Sequence, residues 1–243
     1  MHAVVKNILL KHLLILLSPL WVCAQQKDAG SWHSVNVQLN TKKKWIGFAE
    51  LQTRSRKPAD QFYYYEIKGG VGYSVLPGFS ALLVAGRYVT YSGDGNYEKP
   101  LAGEEFRIWQ QLLFNDRIYR LRLDHRIRTE QRFLSNHVYR NRFRYRLNVV
   151  LPLGQESLLP HTFYLTSFDE IFLTNKAPHF ERNRVFGGGG YVCSKVVTLQ
   201  AGYLYQYDYS TAATAGKHFI QLSLFLQFNP DAGSSKRVDP PDQ

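Results

Sequence analysis

The amino-acid sequence predicts an all-β fold, an antiparallel up-and-down barrel of about 10–12 strands crossing a membrane. Three observations predict it. Apolar and polar residues alternate with period two in blocks of about ten residues, each closed by turn residues, as expected of strands whose two faces meet different surroundings. Many blocks run eleven to fifteen residues, whereas soluble strands average about five or six and a tilted membrane strand needs about nine to eleven. Aromatic residues make up 14% of the chain, and many sit at block ends, where their amphipathic rings suit the two bilayer interfaces.

Eleven blocks follow one another: Trp32–Leu39, Trp45–Arg54, Tyr63–Val75, Phe79–Tyr91, Glu105–Phe114, Ile118–Arg132, Tyr139–Val150, Thr162–Leu173, Asn183–Cys193, Val196–Tyr209 and His218–Phe228. In the sixth, Arg120, Arg122, Asp124, Arg126, Arg128, Glu130 and Arg132 share one face, opposed by Leu121, Leu123, His125, Ile127 and Phe133. Thr129 and Gln131 are the exceptions on the apolar side. In the seventh, Arg140, Arg142, Arg144, Arg146 and Asn148 oppose Tyr139, Phe143, Tyr145, Leu147 and Val149. The tenth and eleventh set Leu199, Ala201, Tyr203, Ile220, Leu222 and Leu224 against Thr198, Gln200, Gln221 and Ser223.

Turns alternate in length. Leu76-Pro77-Gly78, Asn115-Asp116 and Ser194-Lys195 are short, whereas Ser92–Glu104, Asn175–Arg182 and Ser210–Lys217 are long, the asymmetry of barrels with short periplasmic turns and longer outer loops. A chain entering from the periplasm and ending there needs an even number of strands. Eleven blocks break that parity, so either one is mis-split or Trp32–Leu39 lies outside the wall, leaving ten or twelve wall strands.

Residues 1–24 read as an export signal. Lys6 and Lys11 flank Ile8-Leu9-Leu10, the apolar run Leu13–Leu17 follows, and Val22-Cys23-Ala24 supplies a small residue before the cut. The run is shorter than the roughly 20 residues that span a bilayer, and Pro19 interrupts it. A lipidated Cys23 is the alternative, which Trp21 and Val22 fit poorly. Once Cys23 is removed Cys193 is the only thiol, so no internal disulfide forms. Residues 25–229 then form the barrel, and 230–243, rich in Pro, Gly, Ser and charge, read as a disordered polar tail. The expected location is the bacterial outer membrane, with its lipid as the principal partner.

Thirty Lys and Arg against nineteen Asp and Glu give a formal charge of +11. Their placement decides what that excess means. The sixth and seventh blocks are sequential neighbours, so Arg120, Arg122, Arg126, Arg128, Arg132, Arg140, Arg142, Arg144 and Arg146, with Arg107 from the preceding strand, belong to one patch. Each would cost about 2–4 kcal/mol on the lipid face at mid-bilayer, so the patch faces inward. Inward arginines exclude nucleic acid as a partner. They leave two readings: a lumen that passes or binds small anions, or a network neutralised by Glu50, Glu66, Glu105, Asp124, Glu130 and Glu170 that fills a narrow barrel.

Other features carry less. Phe186-Gly187-Gly188-Gly189-Gly190-Tyr191 has neither a GK[ST] ending nor a following helix, so it reads as close strand packing and not as a phosphate loop. Ser135-Asn136-His137 in the loop after the sixth block, with His179 and His218 near other loops, offers the parts of a hydrolase site, but no spacing specifies a triad. The eight His residues show no metal-ligand repeat, and no metal or cofactor is expected.

Four runs in order, Arg142-Phe143-Arg144-Tyr145-Arg146-Leu147, Phe168-Asp169-Glu170-Ile171-Phe172, Glu181-Arg182-Asn183-Arg184 and Gly202-Tyr203-Leu204-Tyr205-Gln206, resemble the bacterial family known as domain of unknown function 2490. The similarity covers roughly Trp32 to Phe228. It implies an outer-membrane barrel and carries no assigned activity. The expected function is therefore non-enzymatic, structural or a narrow anion-selective pore. The alternative is an outer-membrane lipid hydrolase using Ser135 or His137.

Overall fold

The computed structural model describes residues 29–209 and 214–229. The signal segment with Cys23 and the tail 230–243 lie outside the described residues. The strands are β1 (Gly30–Asn40), β2 (Trp45–Lys57), β3 (Asp60–Leu76), β4 (Phe79–Tyr91), β5 (Leu101–Ile118) and β6 (Leu121–Leu134), followed by β7 (Tyr139–Pro152), β8 (Phe163–Thr174), β9 (Phe180–Val192), β10 (Val197–Tyr209) and β11 (Thr214–Phe228). All eleven close into one barrel.

Strand number departs from the even count expected. The block Trp32–Leu39 is a wall strand, and none of the others is mis-split. In an up-and-down chain with an odd count the first and last strands point the same way, so closure has to be parallel. It is: β1 pairs with β11 in parallel, Val35 beside Leu224, while every other neighbour pair is antiparallel. Parallel bonds are slanted but evenly spaced, so the seam leaves no open edge to aggregate.

Several turns also differ from the sequence reading, and the three long ones end sooner because β5, β9 and β11 begin at Leu101, Phe180 and Thr214. Asn115 and Asp116 continue β5, with Asn115 opposite Asp124, and the reversal falls at Tyr119-Arg120. The connection 153–162 is long yet lies at the same end as the short turns. β1 begins at one end, called the upper end, and β11 finishes at the lower end.

Following strand pairs outward from Val35 gives the barrel's stagger. One direction runs through Leu51, Ile67, Arg87, Phe106 and Phe133 to Tyr139. The other runs through Leu224, Leu199, Tyr191 and Phe163 to Leu153, at the opposite end of β7. The closed path thus slips by about fourteen residues, and such a slip tilts the strands by about 40°.

Alternation sorts the side chains. Leu51, Ile67, Leu83, Ile127, Phe143, Leu165, Leu199 and Leu222 point outward and are exposed. Aromatic pairs ring this outer face at both ends. Near the lower end they are Trp45 with Tyr73, Phe79 with Phe114 and Phe163 with Tyr191. Near the upper end they are Phe106 with Phe133, Phe133 with Tyr139 and Phe180 with Tyr209. The outward polar residues bond to one another: Thr129 Oγ1 donates to Gln110 Oε1 at 2.7 Å, and Asn183 Nδ2 to Asp169 Oδ1 at 2.5 Å.

Inside, apolar side chains fill the lower part. Val150, Tyr164 and Val192, from the lower ends of β7, β8 and β9, pack with Leu158, which the 153–162 connection folds inward. Leu82, Val84, Trp109 and Leu113 form a second cluster with Phe48 against it. The four-glycine run makes room for rings: a Cβ at Gly190 would lie 2.2 Å from the Tyr164 ring, and one at Gly202 would lie 2.4 Å from Phe186. Glycine is required because the aromatic ring occupies the volume a side chain would need.

Candidate functional site: the charged interior

β5, β6 and β7 are long, so their inward residues form a continuous ladder from the lower end to the upper rim. Glu130, fully buried, is its hub. It accepts hydrogen bonds from Arg142 Nη2 at 2.5 Å and Nε at 2.9 Å, and from Arg144 Nη1 at 2.5 Å. Arg128 and Arg107 stand farther off, at 3.8 and 4.0 Å. Glu170 on β8 is the second hub, bonded by Arg126 Nη2 at 2.6 Å and Arg144 Nη2 at 2.7 Å. Arg144 therefore links the two carboxylates. Buried charges persist only when paired and hydrogen-bonded, and these pairs meet that condition.

Smaller groups surround the hubs. Glu105 takes Arg107 Nε at 2.8 Å and Arg132 Nη2 at 2.7 Å. Lower down, Asp124 accepts from Arg122 Nε at 2.5 Å and from Asn115 and Asn148. Across the barrel, Lys68 Nζ lies 2.9 Å from Glu50 and 2.6 Å from Glu66, which Tyr64 also donates to. Arg146 is buried among the same side chains, its guanidinium 5.0 Å over the Phe168 ring.

Two arginines of the expected patch stand apart. Arg120 belongs to the Tyr119-Arg120 reversal, not to a strand face. Its Nη2 donates to the carbonyls of Pro152 and Gln155, both at 2.9 Å. Arg140 is the second residue of β7 and is exposed at the rim. The remainder of the patch, Arg107, Arg122, Arg126, Arg128, Arg132, Arg142, Arg144 and Arg146, points inward, as do Asp124, Glu130 and Glu170.

Sequence reasoning missed half of the interior. Arg54 and Lys68 face in from β2 and β3, Arg182 and Arg184 from β9, and Glu181 and Asp208 join them at the rim. On β9 the inward parity passes from Arg182 and Arg184 to Phe186 and Gly188, so the face mixes charge with apolar residues and the alternation signal disappears. Aromatic platforms were also missed: Arg54 lies 3.5 Å over the Trp32 ring, Arg107 3.7 Å over Tyr88 and Arg128 3.7 Å over Trp109. Cation–π contacts gain strength when desolvated.

The interior is not packed solid. A cavity of about 270 Å³ occupies its upper part, reaching from Trp32, Glu50 and Arg126 to Arg132, Glu181 and Lys217 near the upper rim.

The family model described as "Protein of unknown function (DUF2490)" matches residues 29–217, spanning β1 to the start of β11. The chain belongs to that family. No curated protein and no solved structure matches it. Membership agrees with the four runs quoted above, and those runs have structural counterparts: the first is the heart of β7, the second holds Glu170, the third Glu181 with Arg182 and Arg184, and the fourth Gly202 beneath the Phe186 ring.

The loop residues proposed for a hydrolase are separate. Ser135 and His137 lie in the 135–138 turn, where their backbone nitrogens donate to Glu104 and Leu134. His179 Nδ1 meets the Thr174 carbonyl and His218 Nδ1 the Tyr203 hydroxyl. Among the described residues no group of three His, Cys, Asp or Glu suits a metal ion.

Proposed function

We propose that this chain is an outer-membrane barrel that does not conduct, with a charge network bracing its interior against the membrane wall. The single observation carrying this is the dryness of the middle and lower interior. Trp109, Tyr164, Val150, Val192 and Phe225 face inward and are at most 1% exposed. A water-filled channel wets its lining, and these side chains meet no water. The outward belt of exposed Leu, Ile and Val between two aromatic rings supports the membrane setting. Removal of residues 1–24 as a signal fits the same setting, so the mature chain begins near Gln25 and fractionates with the outer membrane.

The deciding experiment compares wild type with the Arg126→Gln, Arg144→Gln double variant. Together these remove the hydrogen bonds that Arg126 and Arg144 make to Glu170 and one of those to Glu130. Stripping partners from a buried ion pair costs about 3–5 kcal/mol, so the variant unfolds at lower temperature on heat-modifiable gels. Wild-type protein stays silent in planar bilayers. Anion-selective channel events from wild type, with selectivity falling in the variant, would reject the closed barrel in favour of a pore.

A further inference from the structure

We propose that the upper cavity is a blind cup that binds a small, multiply charged oxyanion of the phosphate type, approached from the upper end. This rests on the closed lower end argued above. Twelve basic side chains line the cavity against five acidic ones. The hub Glu130 and rim Asp208, just outside the lining, do not close that gap. The cup is therefore cationic even after its internal pairs are formed.

Three of the arginines are held in a way that leaves their charge uncancelled. Arg54 Nη2 donates to Gln52 Oε1 at 2.7 Å, Arg128 Nε to Gln111 Oε1 at 2.8 Å, and Arg184 Nε to Gln206 Oε1 at 2.9 Å. Each also lies over an aromatic ring: Trp32 and Tyr64 for Arg54, Trp109 for Arg128, and Phe172 and Trp32 for Arg184. Their carboxylate contacts are long, 3.6 Å from Arg54 to Glu66, 3.8 Å from Arg128 to Glu130 and 3.9 Å from Arg184 to Glu170. A neutral amide fixes the orientation of a guanidinium without neutralising it. Arg126, Arg142 and Arg144, by contrast, are spent on carboxylates at 2.5–2.9 Å.

A second, independent observation points to a missing acceptor. Trp32 Nε1, Arg54 Nε and Arg126 Nε are buried N–H donors with no hydrogen-bond partner, and all three residues line this cavity. Buried donors are almost always satisfied, and a ligand that brings only acceptor oxygens would satisfy these. Phosphate offers several such oxygens, and the guanidinium fork matches its geometry. The volume admits a compact ligand and excludes a polymer. A free polyphosphate and a lipid's glycerophosphate headgroup share this chemistry.

Titration calorimetry on the purified full chain in detergent, at low salt, tests the cup with pyrophosphate and with glycerol 3-phosphate. Saturable one-to-one binding is expected for at least one, weakening as salt screens the charges. Tighter pyrophosphate binding identifies a free polyphosphate as the source, and tighter glycerol 3-phosphate a headgroup. Arg54→Gln and Arg184→Gln should each raise Kd by about tenfold or more, the scale of a lost charge-assisted bond. Trp32→Phe, which keeps an aromatic face and removes the N–H, should weaken binding less. Arg87→Gln, outside the cup and paired with Glu104, should leave Kd unchanged. Absence of saturable binding of both probes to folded protein, or equal effects of Arg54→Gln and Arg87→Gln, would overturn the cup. Either result leaves a silent barrel intact, whereas channel events from wild type would reject the closed barrel while leaving the binding result readable.

Discussion

Ser34 on the first strand and Ser223 on the last stand side by side in the parallel seam, their hydroxyls 2.9 Å apart. Both point inward, and the bond ties the two ends of the wall together where an even-stranded barrel would have antiparallel partners. The seam is further packed by Trp32 against Phe219, edge to face at 5.5 Å.

That register gives a direct test. With Cys193 changed to serine, Ser34→Cys together with Ser223→Cys should oxidise to a disulfide, because directly paired residues bring their Cα atoms within bridging range. Faster migration of the unreduced, denatured chain would report it. Cross-linking that succeeds only when Ser34→Cys is paired with a cysteine two positions from 223 would mean a different seam.

Glu130→Gln should be among the most damaging single changes in the interior. It keeps the shape and removes the one carboxylate that Arg142 and Arg144 both bond. Arg142 keeps Glu181 and Arg144 keeps Glu170, but the hub's share of the pairing is lost. Breaking a buried pair costs up to about 3–5 kcal/mol, read as a lower unfolding temperature. An unchanged temperature would mean that water or the other carboxylates already compensate the hub.

Trp109 is fully buried in the middle of the barrel, with Arg128 stacked on one face and Leu82, Val84 and Leu113 packed beside it. Trp109→Ala should cost about 3–5 kcal/mol through the cavity it leaves. It should also let small solutes through in a liposome-swelling assay in which wild type is tight. Equal swelling rates for both would show that Trp109 is not the seal.

Facing can be read residue by residue. Cysteines replacing Leu121, Leu123, Ile127, Phe143, Tyr145 or Leu147 should react with a lipid-soluble probe, and cysteines replacing Arg126 or Arg144 should not. The reverse pattern would mean a one-residue slip, which turns every side chain to the other face.

Sequence by itself determined the strand blocks, the period-two facing and the family, because these depend on local chemistry. On β6 and β7 arginines alternate with apolar residues, which puts them together on one face, and Arg126, Arg128, Arg142 and Arg146 are buried on the interior one. The six acids named as partners, Glu50, Glu66, Glu105, Asp124, Glu130 and Glu170, were legible for the same reason. Tertiary structure decided the rest. Strand number hinged on whether Trp32–Leu39 could pair with the last strand, a contact between residues about 190 apart in the chain that carries no local signal. Alternation continues through Tyr119-Arg120 and so places Arg120 on the ladder, yet Ile118 pairs with Leu121 and turns the chain there. Above all, which arginines are neutralised and which are held by glutamine depends on how strands from opposite walls meet across the interior. Arg54 and Arg184, far apart in sequence, share the ring of Trp32 only because the barrel closes.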